Sequence, residues 1–156
     1  MAPRQQRVLV DTGPLIAWID AADAHHAAVR KLLDGFRGEL VSTWPVLTET
    51  CHLLPEHLVS PFLRWVGSGG LTVAEISPSA LLALADRMDK YSDLPMDLAD
   101  ASLIWLADTL GVLDVITLDR RDFGVYRTDR GGSLRNLLEP PVRVPARRSK
   151  RPKGSA

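Results

Sequence analysis

Cysteine is almost absent from this sequence: Cys51 is the only one among 156 residues. One cysteine excludes an intramolecular disulfide and any metal site built from several cysteines. Long apolar runs are also missing, and none approaches the ~20 residues of a membrane-spanning helix. The opening residues, MAPRQQRVLV, lack the apolar segment of a signal peptide. We therefore expect a protein that makes no membrane contact and resides in the cytoplasm.

Acidic residues are missing from the C-terminal end. After residue 142 the chain has six basic residues and no Asp or Glu. Without these six, 13 Lys and Arg remain against 19 acids, so residues 1–142 carry an excess of about six negative charges. We divide the chain into a folded domain, residues 1–139, and a basic, Pro-containing tail, residues 140–156, for which we expect disorder. The tail is either a solubilising segment or an arm for nucleic acid or a partner.

Short apolar strands alternate along the chain with helical segments. The predicted strands are RVLVD, ELVST, LTVAEI and VLDVITLD, whereas GSLRNLL is ambiguous. One helix is expected to start with Asp23 as its N-cap, and another to be broken or begun near Pro61. MDLADASLIWLADTLG is apolar nearly all round and predicts a buried helix that ends at Gly111. The alternation predicts an α/β fold with a mostly parallel sheet.

Carboxylates occur at strand ends and on helices in otherwise apolar segments. Asp11 ends the first strand and Asp119 ends VITLD. Ligands of parallel α/β sheets bind beyond the carboxyl ends of the strands, so both acids project from the same edge if these strands are parallel. Asp97 and Asp100 lie three residues apart and share one helix face. Glu49 lies one turn into the helix that begins near Pro45.

Each acid also has a purely structural explanation. Asp11 can cap the next helix, Asp97 can be an N-cap with Asp100 in the first turn, Asp119 can open a turn, and Glu49 can face solvent. Together, however, clustered carboxylates repel one another, and some must protonate or bind a cation. Acids without His or Cys form a hard-oxygen site suited to Mg²⁺ or Mn²⁺. Such an ion activates water and clamps phosphate oxygens, which predicts cleavage of a phosphate ester.

The stretch VLVDTGP contains the Asp-Thr-Gly triplet that aspartic proteases use. Those enzymes need two facing aspartates, one from each of two β-rich lobes or subunits. This chain is predicted to be at least half helical, and Pro14 begins a helix directly after the triplet. A phosphatase with an Asp-x-Asp nucleophile motif needs an acid at position 13, where this chain has Gly13. Neither class agrees with the sequence.

Four segments in this order resemble the PIN domain, and in particular the VapC-type toxins of bacterial toxin–antitoxin pairs. They are VLVDTGPLIA, LTET, DLADASLIWLA and VITLDRRDF, within residues 8–139. The last two are the most specific. The resemblance implies a three-layer α/β/α fold and a Mg²⁺- or Mn²⁺-dependent ribonuclease. It also implies a protein that forms a homodimer and is blocked by a cognate antitoxin.

The resemblance also implies roles for individual residues. The core acids, catalytic and metal-binding, match Asp11, Glu49, Asp100 and Asp119. Of these, Asp11 and Asp100 are expected to hold the ion directly, and the other two directly or through water. The residues expected to support them are Thr12, Asp97, Thr117 and Asp122. The main alternative is a catalytically inactive module of the same fold, whose acids are structural and whose task is partner recognition.

Overall fold

The computed structural model describes residues 5–138, which form five strands and seven α-helices. The strands are β1 (Arg7–Val10), β2 (Glu39–Thr43), β3 (Thr72–Ala74), β4 (Asp114–Ile116) and β5 (Arg135–Asn136). The helices are α1 (Thr12–Ile19), α2 (His26–Gly35), α3 (Trp44–Leu53), α4 (Glu56–Trp65), α5 (Leu81–Lys90), α6 (Leu98–Leu110) and α7 (Arg120–Val125). A π-type turn, Val66–Gly70, follows α4, and a 3₁₀ turn, Pro78–Ala80, precedes α5.

The five strands form one sheet in the order β3-β2-β1-β4-β5, and every strand pair is parallel. This confirms the predicted α/β class. The ambiguous segment GSLRNLL contains β5, a two-residue edge strand. Strands β2 and β3 are added in turn on one side of β1, and β4 is then added on the opposite side of β1. Such a reversal creates a crevice beyond the strand ends, here between β1 and β4.

Helices cover both faces of the sheet, as the three-layer α/β/α prediction requires. Val8, Leu9 and Val10 are all 0% exposed. Since neighbouring residues of a strand point to opposite faces, β1 is buried from both sides. The amphipathic helices pack against one another around this core, and α6 contacts β2 as well as α3 and α5. The middle of the sheet is therefore shielded from water up to its carboxyl edge.

Helix boundaries follow local sequence at some positions and tertiary context at others. Gly111 ends α6 as expected, with the left-handed φ of 65° that favours glycine. The expected interruption near Pro61 is wrong, because α4 runs through it without a break. Pro61 and His57, whose carbonyl loses its helical partner there, are both exposed, so water can satisfy that carbonyl. Asp23 is not the N-cap of α2, which is His25; the Asp23 carboxylate accepts a hydrogen bond from the backbone N–H of His25 at 2.7 Å, just before the helix.

The predicted basic tail, residues 140–156, lies outside the described residues. Within residues 5–138, no helix combines the length and the apolar character needed to cross a membrane.

Candidate active site

Asp11 lies directly after β1 and is only 8% exposed. Its backbone N–H donates to the carbonyl of Ile116 at 3.0 Å, which continues the β1–β4 pairing by one residue. Its carboxylate accepts from the backbone N–H of Thr12 at 2.8 Å and from the hydroxyl of Thr117 at 2.9 Å. Asp11 is thus both the N-cap of α1 and a buried acid at the crevice.

Thr117, predicted as a supporting residue, is fully buried just beyond β4. Besides donating to Asp11, its hydroxyl accepts from the backbone N–H of Asp119 at 3.0 Å. Asn136 on β5 holds the Thr117 peptide: its amide donates to the carbonyl at 2.9 Å, and its oxygen accepts the N–H at 3.3 Å. Sequence reasoning missed Asn136 because its strand is too short to show a pattern.

Asp97 and Asp100 form a capping box at the start of α6. The Asp97 carboxylate accepts from the backbone N–H of Asp100 at 2.8 Å, and Asp100 accepts from the N–H of Asp97 at 3.4 Å. The Asp100 carboxylate also lies 3.4 Å from the hydroxyl of Tyr126, which lies 3.0 Å from the carbonyl of Pro95. Sequence reasoning missed Tyr126, because no local pattern links it to Asp100, 26 residues earlier in the chain.

The remaining predicted acids approach the same region from α3 and from the start of α7. Asp119 caps α7 and accepts from the backbone N–H of Asp122 at 3.0 Å. Partial desolvation and the neighbouring Asp119 carboxylate raise the pKa of Asp122. Glu49 is half-buried on α3, and its negative charge helps to raise the pKa of Asp11. Electrostatic interactions therefore link Asp11 with Glu49, Asp100 and Asp119, while Asp97 interacts with Asp100 and Asp122 with Asp119.

Burial and mutual repulsion raise the pKa values of the two central acids. The pKa of Asp11 rises from 3.8 to about 6, mainly through burial and further through the charges of Glu49 and Asp119. Its hydrogen bonds with Thr12 and Thr117 oppose that shift. The pKa of Asp100 rises to about 7, again mainly through burial and then through Asp97, Asp11 and Asp119. A cation at this position would relieve the repulsion.

Three helices begin at these acids, since Asp11, Asp97 and Asp119 cap α1, α6 and α7. The capping explanations drawn from the sequence therefore hold as well. They do not compete with a functional role, because each cap fixes a carboxylate at the crevice. Helix N-termini also favour negative charge, which makes the approach of several acids less costly.

The acids supply the oxygen ligands that a hard divalent cation prefers, but their side chains are not positioned around a common point in the described part of the chain. Among the described residues, no three His, Cys, Asp or Glu side chains are arranged to hold an ion. Asp11, Asp100 and Asp119 instead accept hydrogen bonds from the protein. The donor set is still all carboxylate, as Mg²⁺ and Mn²⁺ prefer. The buried hydroxyl of Thr12 beside Asp11 has no hydrogen-bond partner.

Comparison with known proteins agrees with this architecture. The PIN domain model matches residues 8–130, so the chain belongs to the PIN-domain family. It is 31% identical over 129 residues to ribonuclease VapC26 of Mycobacterium tuberculosis, covering 80% of this chain and 96% of that protein. The resemblance inferred from the sequence motifs is confirmed.

A solved structure adds support for the fold alone. The fold is similar to the crystal structure of VapC20 of Mycobacterium tuberculosis, a toxin that cleaves the sarcin–ricin loop. The TM-score is 0.68 at 17% identity, and the match covers 73% of this chain and 91% of that chain.

Proposed function

We propose that this protein is a metal-dependent endoribonuclease, the toxin of a type II toxin–antitoxin system, which hydrolyses RNA phosphodiester bonds. One observation carries the proposal: the buried Asp11, at the crevice between β1 and β4, interacts electrostatically with acids from three other segments. The crevice is where ligands of parallel sheets bind. Membership of the PIN-domain family and the likeness to ribonuclease VapC26 support RNA as the substrate.

The four core acids have distinct roles in this proposal. Asp11 and Asp100 hold the Mg²⁺ or Mn²⁺ ion directly, and Glu49 and Asp119 complete its surroundings directly or through water. The ion supplies Lewis acidity that lowers the pKa of water and offsets charge on the phosphate. Support for this division comes from the raised pKa values of Asp11 and Asp100, which mark where negative charge is least well accommodated, and from the exposure of Asp119.

The surrounding residues orient the acids and limit the access of water. Thr117 orients the Asp11 carboxylate, and Tyr126 faces that of Asp100. Burial raises the pKa of Tyr126 above its ordinary value, which keeps its hydroxyl protonated as a donor. Asp97 and Asp122 support the cluster through their contacts with Asp100 and Asp119.

The partners we propose are RNA, a cognate antitoxin and a second copy of the chain, all in the cytoplasm. Residues 1–139 form the catalytic domain in this proposal. Membership of the PIN-domain family and the likeness to ribonuclease VapC26 support RNA and an antitoxin as partners.

Incubating the purified protein with total RNA, with and without Mn²⁺, tests the activity. We expect discrete cut ends that require the ion, and none with Asp11→Asn at unchanged far-UV circular dichroism. Asp34→Asn is the matched control, because Asp34 is an exposed acid on α2 whose carboxylate lies 3.5 Å from Arg30. Full activity of the Asp11→Asn protein would contradict the assignment.

One observation favours the alternative, an inactive PIN-fold module for partner recognition. It is the lack of a ready-made ion-binding arrangement among residues 5–138. The same experiment separates the two functions. A protein that neither cuts RNA nor gains thermal stability with millimolar Mg²⁺ or Mn²⁺ is the module.

A further inference from the structure

An open groove of about 620 Å³ lies between the starts of α3 and α6. Its apolar walls are Trp44, Pro45, Leu98 and Ala99. Glu49 and Asp97 also line it, so the groove is continuous with the acidic cluster. Its volume falls within the range of about 300–1,000 Å³ typical of clefts for small ligands.

Trp44 is the most exposed tryptophan in the described chain. It is 49% exposed, whereas Trp18, Trp65 and Trp105 pack against the hydrophobic core. Its indole N–H points to the carboxylate of Glu75 at 3.5 Å, which restrains the ring by its polar edge. Leu98, 43% exposed, lies in the same groove. Trp44 and Leu98 are thus two large apolar side chains that are exposed to solvent beside the acids.

The composition of the groove favours a flat, uncharged occupant. Among the groove-lining residues two are acids, none is Lys or Arg, and His52 is the one side chain that can become positively charged, so the groove attracts a phosphate group only weakly. A nucleobase, by contrast, has an uncharged π-face that stacks on aromatic side chains whatever its identity. A phosphodiester positioned at the acids brings its neighbouring base toward the groove, because Glu49 and Asp97 belong to both.

We propose that Trp44 is the stacking platform for one unpaired base next to the scissile phosphate. This inference rests on the ribonuclease function proposed above and names a subsite of the same active site. The base lies against the indole, and Leu98 and Pro45 supply further apolar contact. Glu49 and Asp97 line the end of the groove from which the RNA backbone continues toward the cleavage centre.

The test couples a change in the protein to a change in the RNA. The major cut is mapped in a single-stranded RNA, and abasic sites are then placed singly at the flanking positions. Wild-type protein should lose about 5- to 100-fold in kcat/KM at one position, the range that loss of one base–aromatic stack predicts. Trp44→Ala should lose a similar factor on intact RNA and nothing further on that abasic RNA. Trp44→Phe should retain most of the activity.

The control variant is Leu82→Ala, since Leu82 is 75% exposed on α5 and does not line the groove. It should match wild type on every substrate. The abasic substrates report on the wild-type protein, so a folding defect of Trp44→Ala cannot hide the result.

Two outcomes overturn the inference in distinguishable ways. If the protein cleaves RNA but the effects of Trp44→Ala and of the abasic sites are independent, the stacking platform is wrong and the ribonuclease function stands. If Trp44→Ala also lowers the mass measured by light scattering, the groove is an interface between copies of the chain. Absence of all cleavage by the wild type removes the ribonuclease and the platform together.

Discussion

The hydroxyl of Thr117 donates a hydrogen bond of 2.9 Å to the carboxylate of Asp11, across 106 residues of sequence. The two residues meet because β1 and β4 are parallel neighbours with Val10 opposite Ile116. Each lies one position beyond that pair. In a buried site, this bond decides which way the carboxylate faces, so the proposed chemistry depends on the register of two strands distant in the chain.

Thr117→Val should lower RNA cleavage by about 10- to 100-fold, the usual effect of removing a group that orients a metal ligand. Valine keeps the shape of threonine but cannot donate to Asp11 or accept from the N–H of Asp119. The measurement is kcat/KM on one RNA at saturating Mn²⁺. Thr117→Ser, which keeps the hydroxyl, should retain most activity; an equal loss in both variants would show that packing matters and the hydrogen bond does not.

Thermal stability without divalent ions should fall as the pH rises from 5 to 8. The folded-state pKa values of Asp11 and Asp100, about 6 and about 7, exceed the ordinary 3.8. Between these pKa values the folded protein binds more protons than the unfolded chain, so its stability decreases as the pH rises. The stabilisation from the two protonated carboxyls is complete below pH 3.8 and is lost as the pH rises through about 6 and about 7. We expect a decrease in Tm on the order of 5 °C, measured by calorimetry.

Asp11→Asn should flatten that pH profile and raise Tm at pH 8, because the amide is neutral and still accepts from Thr12. The control is Asp34→Asn, whose exposed carboxylate lies away from the cluster. Its profile should follow wild type. A pH dependence that survives unchanged in Asp11→Asn would assign the effect to other groups.

Mn²⁺ or Mg²⁺ should stabilise the wild-type protein and do so more at pH 8 than at pH 5, since protonated carboxyls do not bind the ion. At an ion concentration about 100 times Kd, the stabilisation is about 2.7 kcal/mol. For a domain of this size that raises Tm by roughly 5–10 °C. Asp100→Asn should show little of the increase. An identical shift in wild type and Asp100→Asn would place the bound ion elsewhere.

Tyr126→Phe and Tyr91→Phe form a matched pair that separates stability from activity. The two rings pack edge to face with centroids 5.2 Å apart, and each hydroxyl makes hydrogen bonds. Loss of either hydroxyl should cost about 1 kcal/mol of unfolding free energy. Only Tyr126 reaches Asp100, so only Tyr126→Phe should also lower kcat. Equal kcat values would restrict Tyr126 to a structural role.

Arg87 is 6% exposed and ties α5 to α6 and to the turn that follows α7. It contacts the carboxylate of Asp108 at 2.8 Å and that of Asp129 at 3.0 Å. Asp108→Ala should destabilise the protein by up to about 3–5 kcal/mol, because it removes the less exposed of the two carboxylates that pair with the buried guanidinium. Asp129→Ala should cost less than about 1 kcal/mol, since that side chain is 75% exposed. Urea unfolding measures both, and equal losses would contradict the burial argument.

Local patterns were sufficient to place most of the acids. The capping box of Asp97 and Asp100 depends on residues three apart, and Asp11 ends a strand recognisable by its own apolar run. The helix around Pro61 could not be predicted in the same way. Whether a proline interrupts a helix depends on whether water can reach the carbonyl that loses its donor, and exposure is a property of the whole fold.

Sequence patterns alone predicted the alternation of strands and helices, the family motifs and the capping positions of Asp11, Asp97 and Asp119, because these depend on short-range periodicity and hydrogen bonding. The side chains that contact these acids emerge only in the folded protein. Tyr126 faces Asp100, Asn136 holds Thr117, and Trp44 lines a groove beside Glu49. These contacts follow from parallel pairing and helix packing between distant segments. Local sequence patterns do not encode these contacts, because the two partners meet only when the strands have paired and the helices have packed.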